Sequence, residues 1–188
     1  MSFTEYLMAT KDRKPSWLLE EALPYVKDGK AALDLGAGAL NDARFLISEG
    51  YTVDAVDSEP SFVEYDKDSS INCIVSTFAD FAFPAEQYDL VNAQYSLPFN
   101  PPETFDDVFV RLTSSLKKGG VFVGQFFGTE DGWSDRPHMT FLTREKIETV
   151  LAPYTLQTFI EKKGLRPTAA GPEKFWHTFD VIASKKDM

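Results

Sequence analysis

Asp34-Leu35-Gly36-Ala37-Gly38 is the stretch that decides the fold. It follows the short apolar run Ala31 to Leu35 and precedes a helical pattern from about Asn41 to Glu49. A strand that passes through two glycines straight into a helix is the turn of a βα unit. The glycines let the backbone bend sharply and let a ligand come close, and the helix beyond presents unpaired N–H groups to an anion. Asp57 stands 21 residues after Gly36, at the tip of a second apolar run, Thr52 to Val56. Doubly wound nucleotide binders place a carboxylate there to accept hydrogen bonds from ribose hydroxyls.

Outward from this turn, short β-rich runs alternate with helical ones, which predicts an α/β protein with helices on both faces of a mostly parallel sheet. Pro15 to Val26 reads as a helix, with Trp17, Leu18, Glu21 and Ala22 at helical spacing. Asn41 is expected to cap the helix after the glycine turn. Further strands are predicted over Ile71 to Val75 and Tyr88 to Gln94. Pro102 to Lys118 has the clearest helical stripe: Phe105, Val108, Phe109, Leu112 and Leu116 share one face. Lys117 and Lys118 are expected at its C-terminus, where the helix dipole favours cations, with Gly119 as the stop. A fifth strand, Val121 to Phe127, leads into a loop from Gly128 to Met139, and a helix follows over Thr143 to Leu151. Tyr154 to Glu161 and Phe175 to Ser184 are joined by too short a link for a crossover helix, so they are expected to pair antiparallel. The sum is a seven-stranded, mostly parallel sheet with one antiparallel strand near an edge. Residues 1–13 are expected to be a flexible N-terminal arm able to close over the site, and 14–188 a single domain.

The length of 188 residues suits one domain that buries roughly 70% of its unfolded surface. With 43% apolar and 26% charged residues, the chain is ordinary globular material. A net charge of −10 repels phosphate backbones and anionic lipid, so no nucleic-acid partner and no membrane partner are expected. Cys73 has no second cysteine to pair with and lies in an apolar strand, which reads as inert core in a reducing compartment. No apolar signal segment and no run of about 18 apolar residues is visible, and a cytoplasmic location is expected.

Two departures from the dinucleotide pattern G-x-G-x-x-G point to the ligand. Position 41 is Asn where that pattern has glycine, and Asp34 puts a negative charge inside the turn, a poor neighbour for pyrophosphate. A ligand with an ammonium and a sulfonium would suit it. S-adenosylmethionine has both, with a carboxylate for the N–H groups and a ribose for Asp57.

Here the chain, from about Lys14 to Lys185, resembles the class I S-adenosylmethionine-dependent methyltransferases, whose fold is a Rossmann-like doubly wound sheet. Asp34-Leu35-Gly36-Ala37-Gly38 is similar to the family's acid-x-Gly-x-Gly loop, and Asp57 in Val53-Asp54-Ala55-Val56-Asp57 to its ribose-binding acid. Tyr88-Asp89-Leu90-Val91-Asn92-Ala93 resembles the fourth-strand motif, whose end lies beside the methyl group. Leu116-Lys117-Lys118-Gly119-Gly120 resembles the Leu-Lys-Pro-Gly-Gly signature, with lysine for proline. Within the class, the small single-domain enzymes of tellurite-resistance and thiopurine type look nearest, although their Gly-x-Gly-Arg-Asn variant appears here as Gly38-Ala39-Leu40-Asn41. The resemblance implies that Asp34, Gly36, Ala37, Gly38, Asp57, Ser58, Thr77, Phe78 and Asn92 bind the cofactor. Thr77, with Asp80 nearby, replaces the adenine-side acid of many members.

The reaction expected is methyl transfer to a small-molecule acceptor by a monomer or homodimer. In-line transfer can rest on alignment, with a base optional. Tyr95, Trp133 and His138 follow the fourth and fifth strands and are candidates for the acceptor side, with Tyr95 and His138 as the candidate catalytic groups. Tyr95 reads more readily as a half-buried aromatic than as a catalytic group, and His177 as a structural histidine in an alternating strand. Asp106-Asp107 reads as a solvated helix face, and no spacing of His, Cys and carboxylates suggests a metal. Other readings are cofactor binding without turnover and a nicotinamide oxidoreductase, which would want glycine at 41. A nucleic-acid methyltransferase is disfavoured by Asn92-Ala93-Gln94-Tyr95, which lacks the prolines of Asn-Pro-Pro-Tyr, and by the net charge.

Overall fold

Apolar runs without alternation form strands covered on both faces. Tyr88–Ala93 (β4) is buried along its whole length, and Ala31–Leu35 (β1) at every residue but the first. With Thr52–Asp57 (β2), Asn72–Val75 (β3), Leu116–Phe127 (β5), Tyr154–Pro167 (β6) and Glu173–Lys185 (β7), they form one sheet in the order β3-β2-β1-β4-β5-β7-β6. The computed structural model describes residues 3–66, 70–169 and 171–187. All pairings from β3 to β5 are parallel, and β7 runs antiparallel to both β5 and β6, as the sequence predicts. Strand order reverses between β1 and β4, so the crevice for a ligand opens beyond the carboxyl ends of those two strands.

Each sheet face carries its own core. Pro102–Ser115 (α4) lays Phe105, Val108, Phe109 and Leu112 on one face, where Phe109 lies 5.6 Å from Phe122 and 5.7 Å from Phe126 between ring centroids. Full burial of such side chains stabilises by roughly 1.5–3 kcal/mol each. Arg144–Val150 (α5) adds Ile147 to the same core. The opposite face is covered by Trp17–Ala22 (α2), with Leu18 and Leu19, and by Asn41–Ser48 (α3), with Ala43 and Leu46. Asp107 pairs with Arg111 and Asp106 with Lys146, each at 2.8 Å, so the acid pair on α4 is a solvated, charge-paired face. Cys73 is half-buried against the α2/α3 core, and burial pushes its thiol up, away from reactivity.

Four details differ from the sequence reading. The helix before β5 stops at Ser115, and Leu116 to Gly120 join the strand. Lys117 does not serve a helix end. Its ammonium lies 3.0 Å from both oxygens of Asp89, a buried carboxylate that also accepts from the Ala31 N–H, and this pairing outweighs the weaker dipole effect. Asn41 is not the cap of α3. Leu40 takes that position at φ 61°, its side chain fully buried, while the Asn41 amide donates to Thr10 O at 2.7 Å. The β6–β7 hairpin continues past the expected ends, through Lys162↔Thr178 to Pro167↔Glu173, and Trp176 Nε1 donates to Arg166 O across it.

The expected arm is, in its described part, the helix Phe3–Thr10 (α1). Leu7 is buried, and the carbonyls of Thr10 and Lys11 accept from Asn41 and Arg44 of α3. Arg13 then reaches across the sheet, donating to Ala169 O at the hairpin tip at 2.7 Å. Among the described residues no helix is long and apolar enough to cross a membrane.

Candidate active site at the carboxyl ends of the strands

The glycine turn is held from two sides. Gly36 and Ala37 donate to Val56 O at 2.8 and 3.2 Å, and Gly38 donates to Asp57 Oδ2 at 3.0 Å. Asp57 Oδ1 accepts from the Glu59 N–H at 3.0 Å, so both carboxylate oxygens brace backbone while each keeps a further lone pair for a ligand hydroxyl. Burial pushes the Asp57 carboxyl above its usual range, against the effect of these N–H groups. Gly36 sits at φ +73°, and a Cβ there would lie inside the van der Waals envelope of Ser96 Cβ, 3.1 Å from Ser96 Oγ. Glycine is required because the loop after β4 closes down on the turn. The Phe78 ring tip lies 3.5 Å from the same Cβ position, and Gly38 faces the Tyr6 ring of α1.

Behind the turn lies a chain of buried polar groups. Asn92, at the end of β4, donates through Nδ2 to Asp34 Oδ1 at 2.8 Å and to Asp42 Oδ2 at 3.1 Å. Asp42 Oδ1 takes the Ser16 N–H at 2.8 Å. Burial raises the pKa of both Asp34 and Asp42, and the charges of Asp42 and Asp57 raise it further at Asp34. None of the described salt bridges reaches Asp34, Asp42 or Asp57. Asp34 Oδ2 and Ser96 Oγ are buried without a hydrogen-bond partner among the described residues. Here the Asp34 contacts with Asn92, on the neighbouring strand of the switch point, give a physical reason for both residue types.

The remaining expected residues fall around the same crevice with different exposures. Ser58 and Thr77 are exposed at the ends of β2 and β3, and the Thr77 hydroxyl is turned to Asp80 at 2.6 Å. Tyr95 is 39% exposed, at φ 53°, with its ring 5.8 Å from Trp176 and 6.3 Å from Phe127. A bulky residue in the left-handed region stores strain, and here that strain stands at the mouth of the crevice. Trp133 packs on Phe127, Phe99 and Trp176, while His138 is exposed in the same loop. His177 is buried, taking the Glu130 N–H on Nδ1 and pairing with Glu161 through Nε2 at 3.0 Å, which is a structural role. The β5 loop is pinned to the hairpin by a buried ion pair, Lys174 with Asp131, whose other partners are the N–H groups of Trp133 and His177. The Lys174 ammonium lies 3.8, 4.1 and 4.8 Å from the ring centroids of Trp176, Trp133 and Phe127.

Sequence reasoning missed Asp42, Ser96, Gln94 and Gln125. Gln125 Nε2 donates to Gln94 Oε1 at 2.9 Å, Gln125 Oε1 takes the Tyr95 N–H at 2.9 Å, and Gln94 Nε2 donates to Asn92 at 2.8 Å. The signal was present at Gln125: a fully buried polar residue inside Val-Phe-Val-Gly-Gln-Phe-Phe needs partners. Among the described residues no group of three or more His, Cys, Asp or Glu could hold a metal ion.

These features fit S-adenosylmethionine. An unpartnered buried carboxylate oxygen beside the glycine turn suits a cation. A family profile described as a methyltransferase domain matches residues 32–120. A search of curated proteins gives no match. Among solved structures, an S-adenosylmethionine-dependent methyltransferase from Methanosarcina mazei aligns with a TM-score of 0.69 at 16% identity, over 93% of this chain and 99% of that one. The 1,6-didemethyltoxoflavin-N1-methyltransferase of Burkholderia thailandensis, with 1,6-didemethyltoxoflavin and S-adenosylhomocysteine bound, aligns at 0.67 and 19% identity, over 90% and 77%. TehB from Haemophilus influenzae aligns at 0.74 and 16% identity, over 89% of this chain and 61% of that one. The structural likeness is one of fold, and the domain match spans the glycine turn, Asp57 and β4. The chain is thus similar to methyltransferase domains over residues 32–120, and to S-adenosylmethionine-dependent methyltransferases in fold.

Proposed function

We propose that the chain transfers a methyl group from S-adenosylmethionine to a small-molecule acceptor. The observation that carries this reading is the buried Oδ2 of Asp34 beside the Gly36 turn, which has no hydrogen-bond partner among the described residues, on a carboxyl that none of the described salt bridges reaches. When bound, the cofactor supplies a methyl group on a positively charged sulfur, which becomes neutral as the methyl leaves. Asp34, oriented by Asn92, holds the positive end. Gly36, Ala37 and Gly38 let the backbone approach, and Asp57 with Ser58 takes the ribose. Thr77 and Phe78 flank the base, with Phe78 as the apolar wall. Tyr6 of α1 lies against the turn at Gly38 and covers that side of it. Tyr95, fixed through its N–H by Gln125, orients the acceptor, and alignment rather than proton removal is the main contribution. That the Burkholderia neighbour holds a small ring compound supports a small acceptor here, as does the net charge of −10, which opposes a polynucleotide.

Calorimetric titration with S-adenosylmethionine, S-adenosylhomocysteine and NAD tests the cofactor site. An acceptor screen that detects S-adenosylhomocysteine release tests turnover. Binding of NAD without either adenosyl compound would sink the assignment of the loop, and cofactor binding without release from any acceptor would favour a binding protein.

A further inference from the structure

Between the start of α4 and the loop that joins β5 to α5 the surface opens into a cavity of about 470 Å³, within the roughly 300–1,000 Å³ usual for small-molecule pockets. None of the residues proposed for the cofactor lines it, and neither does Tyr95. Its floor is apolar: Phe105, Met139 and Leu142 are buried, and Phe141 is half-buried beside them. Pro102 and Pro137 add rigid sides. The backbone of this wall is tied down. Thr140 donates through its N–H to Pro98 O at 2.8 Å and through its hydroxyl to Asn100 O at 2.7 Å, and the Leu142 N–H donates to Phe127 O at 2.8 Å. A wall held by such bonds keeps its shape without a ligand, which lowers the cost of binding one.

Three charged side chains line this cavity, and one of them is unanswered. Asp106 and Lys146 pair with each other at 2.8 Å. Arg136 pairs with no carboxylate among the described residues, the neighbouring Asp135 included. Its Cζ lies 4.4 Å from the centroid of the Trp133 ring, so the guanidinium is stacked on an indole rather than loose in water. The other cation at that indole, Lys174, is already neutralised by Asp131. A stacked guanidinium keeps its N–H edge free, and that edge grips a carboxylate through two parallel hydrogen bonds. The hydroxyls of Thr129 and Ser134 stand at the same cavity and can donate to further carboxylate lone pairs. In a chain of net charge −10, one excess positive charge at an apolar cavity favours an anion.

We propose that this cavity is a second small-molecule site, and that it takes an aromatic carboxylate. The ring packs on Phe105, Met139 and Phe141, and the carboxylate meets the Arg136 guanidinium. A neutral ring leaves that guanidinium unanswered, and a cationic one is repelled by it. The inference goes beyond the methyltransferase reading and does not depend on it.

The test uses the full chain without cofactor and two compounds of one shape, 2-naphthoate and its neutral counterpart 2-naphthamide. Calorimetry gives the affinities, and saturation-transfer NMR shows whether the ring protons touch the protein. Naphthoate should bind about tenfold or more tightly than naphthamide. Arg136→Gln, at an exposed position, should weaken naphthoate by about tenfold while leaving naphthamide affinity and Tm unchanged. Ser134→Trp, which fills the cavity from an exposed position on its lining, should abolish binding of both compounds. Saturating S-adenosylhomocysteine should not displace naphthoate. No binding of naphthoate, equal affinity for the two compounds, wild-type affinity in Arg136→Gln, retained binding in Ser134→Trp, or displacement by S-adenosylhomocysteine overturns the inference.

Discussion

Gly36→Ala isolates the closeness of the cofactor turn to β4. Alanine at φ +73° is held in the left-handed region, at roughly 1–2 kcal/mol. Its Cβ would also overlap Ser96 Cβ, and forcing an extra carbon into a packed site costs about 1–3 kcal/mol. The sum is on the order of 2–5 kcal/mol, which for a chain of this length lowers Tm by roughly 5–15 °C. Circular dichroism melts measure the stability change, and calorimetry with S-adenosylhomocysteine measures the binding loss. The double variant Gly36→Ala/Ser96→Gly separates the two costs. It relieves the overlap and leaves the backbone strain, so the cycle should show a favourable coupling of about 1–3 kcal/mol. Strictly additive effects of the two substitutions would refute the contact with Ser96 as the reason for glycine here.

Three further outcomes are expected. Asp34, Asp42 and Asp57 all have carboxyl pKa values raised in the folded chain above the ordinary 3.8, so the folded state binds more protons and ligand-free stability should fall as pH rises from that value through the raised ones. Cofactor binding should strengthen over the same window and release protons, seen by calorimetry in buffers of different ionisation enthalpy. Asp34→Asn should flatten both trends, and an unaltered pH profile in that variant would remove Asp34 as their source. Asp57→Ala should loosen the turn as well as the ribose contact, weakening the cofactor by about 1.5–3 kcal/mol, and unchanged affinity in titration would take Asp57 out of the site. Lys174→Met leaves Asp131 buried without its cation and should cost about 3 kcal/mol or more in denaturant unfolding, most of it recovered in Lys174→Met/Asp131→Asn.

The parallel part of the fold is legible because its signals are local. Apolar runs that end in Gly36 and Asp57 mark strand tips, and the stripe from Phe105 to Leu112 marks a helix. Boundaries fail where a tertiary contact outweighs local preference. Lys117 leaves the helix because the buried Asp89 requires a cation, and Asn41 gives up the cap because its amide is needed at Thr10 O. Helix α1 escapes notice because eight residues with one deeply buried leucine give little periodic signal. The residues proposed for the cofactor stand at successive strand ends, from Asp34 to Asn92, and are legible as motifs. The buried polar and aromatic residues of β4, β5 and the hairpin meet only because β7 inserts between β5 and β6, which no local spacing announces. Asp180 in Phe-Asp-Val-Ile and Gln125 in its strand are polar interruptions of buried runs, a trace in the primary structure that such residues need partners.

Lys174 has a consequence for selectivity. Its ammonium already draws on the negative π clouds of Trp176 and Trp133, and Asp131 fixes it in place. An aromatic enclosure of this kind commonly welcomes quaternary amines, but here it holds a tenant from its own chain. Choline-like or trimethylated molecules would meet a like charge at those rings, so this aromatic cluster disfavours cations.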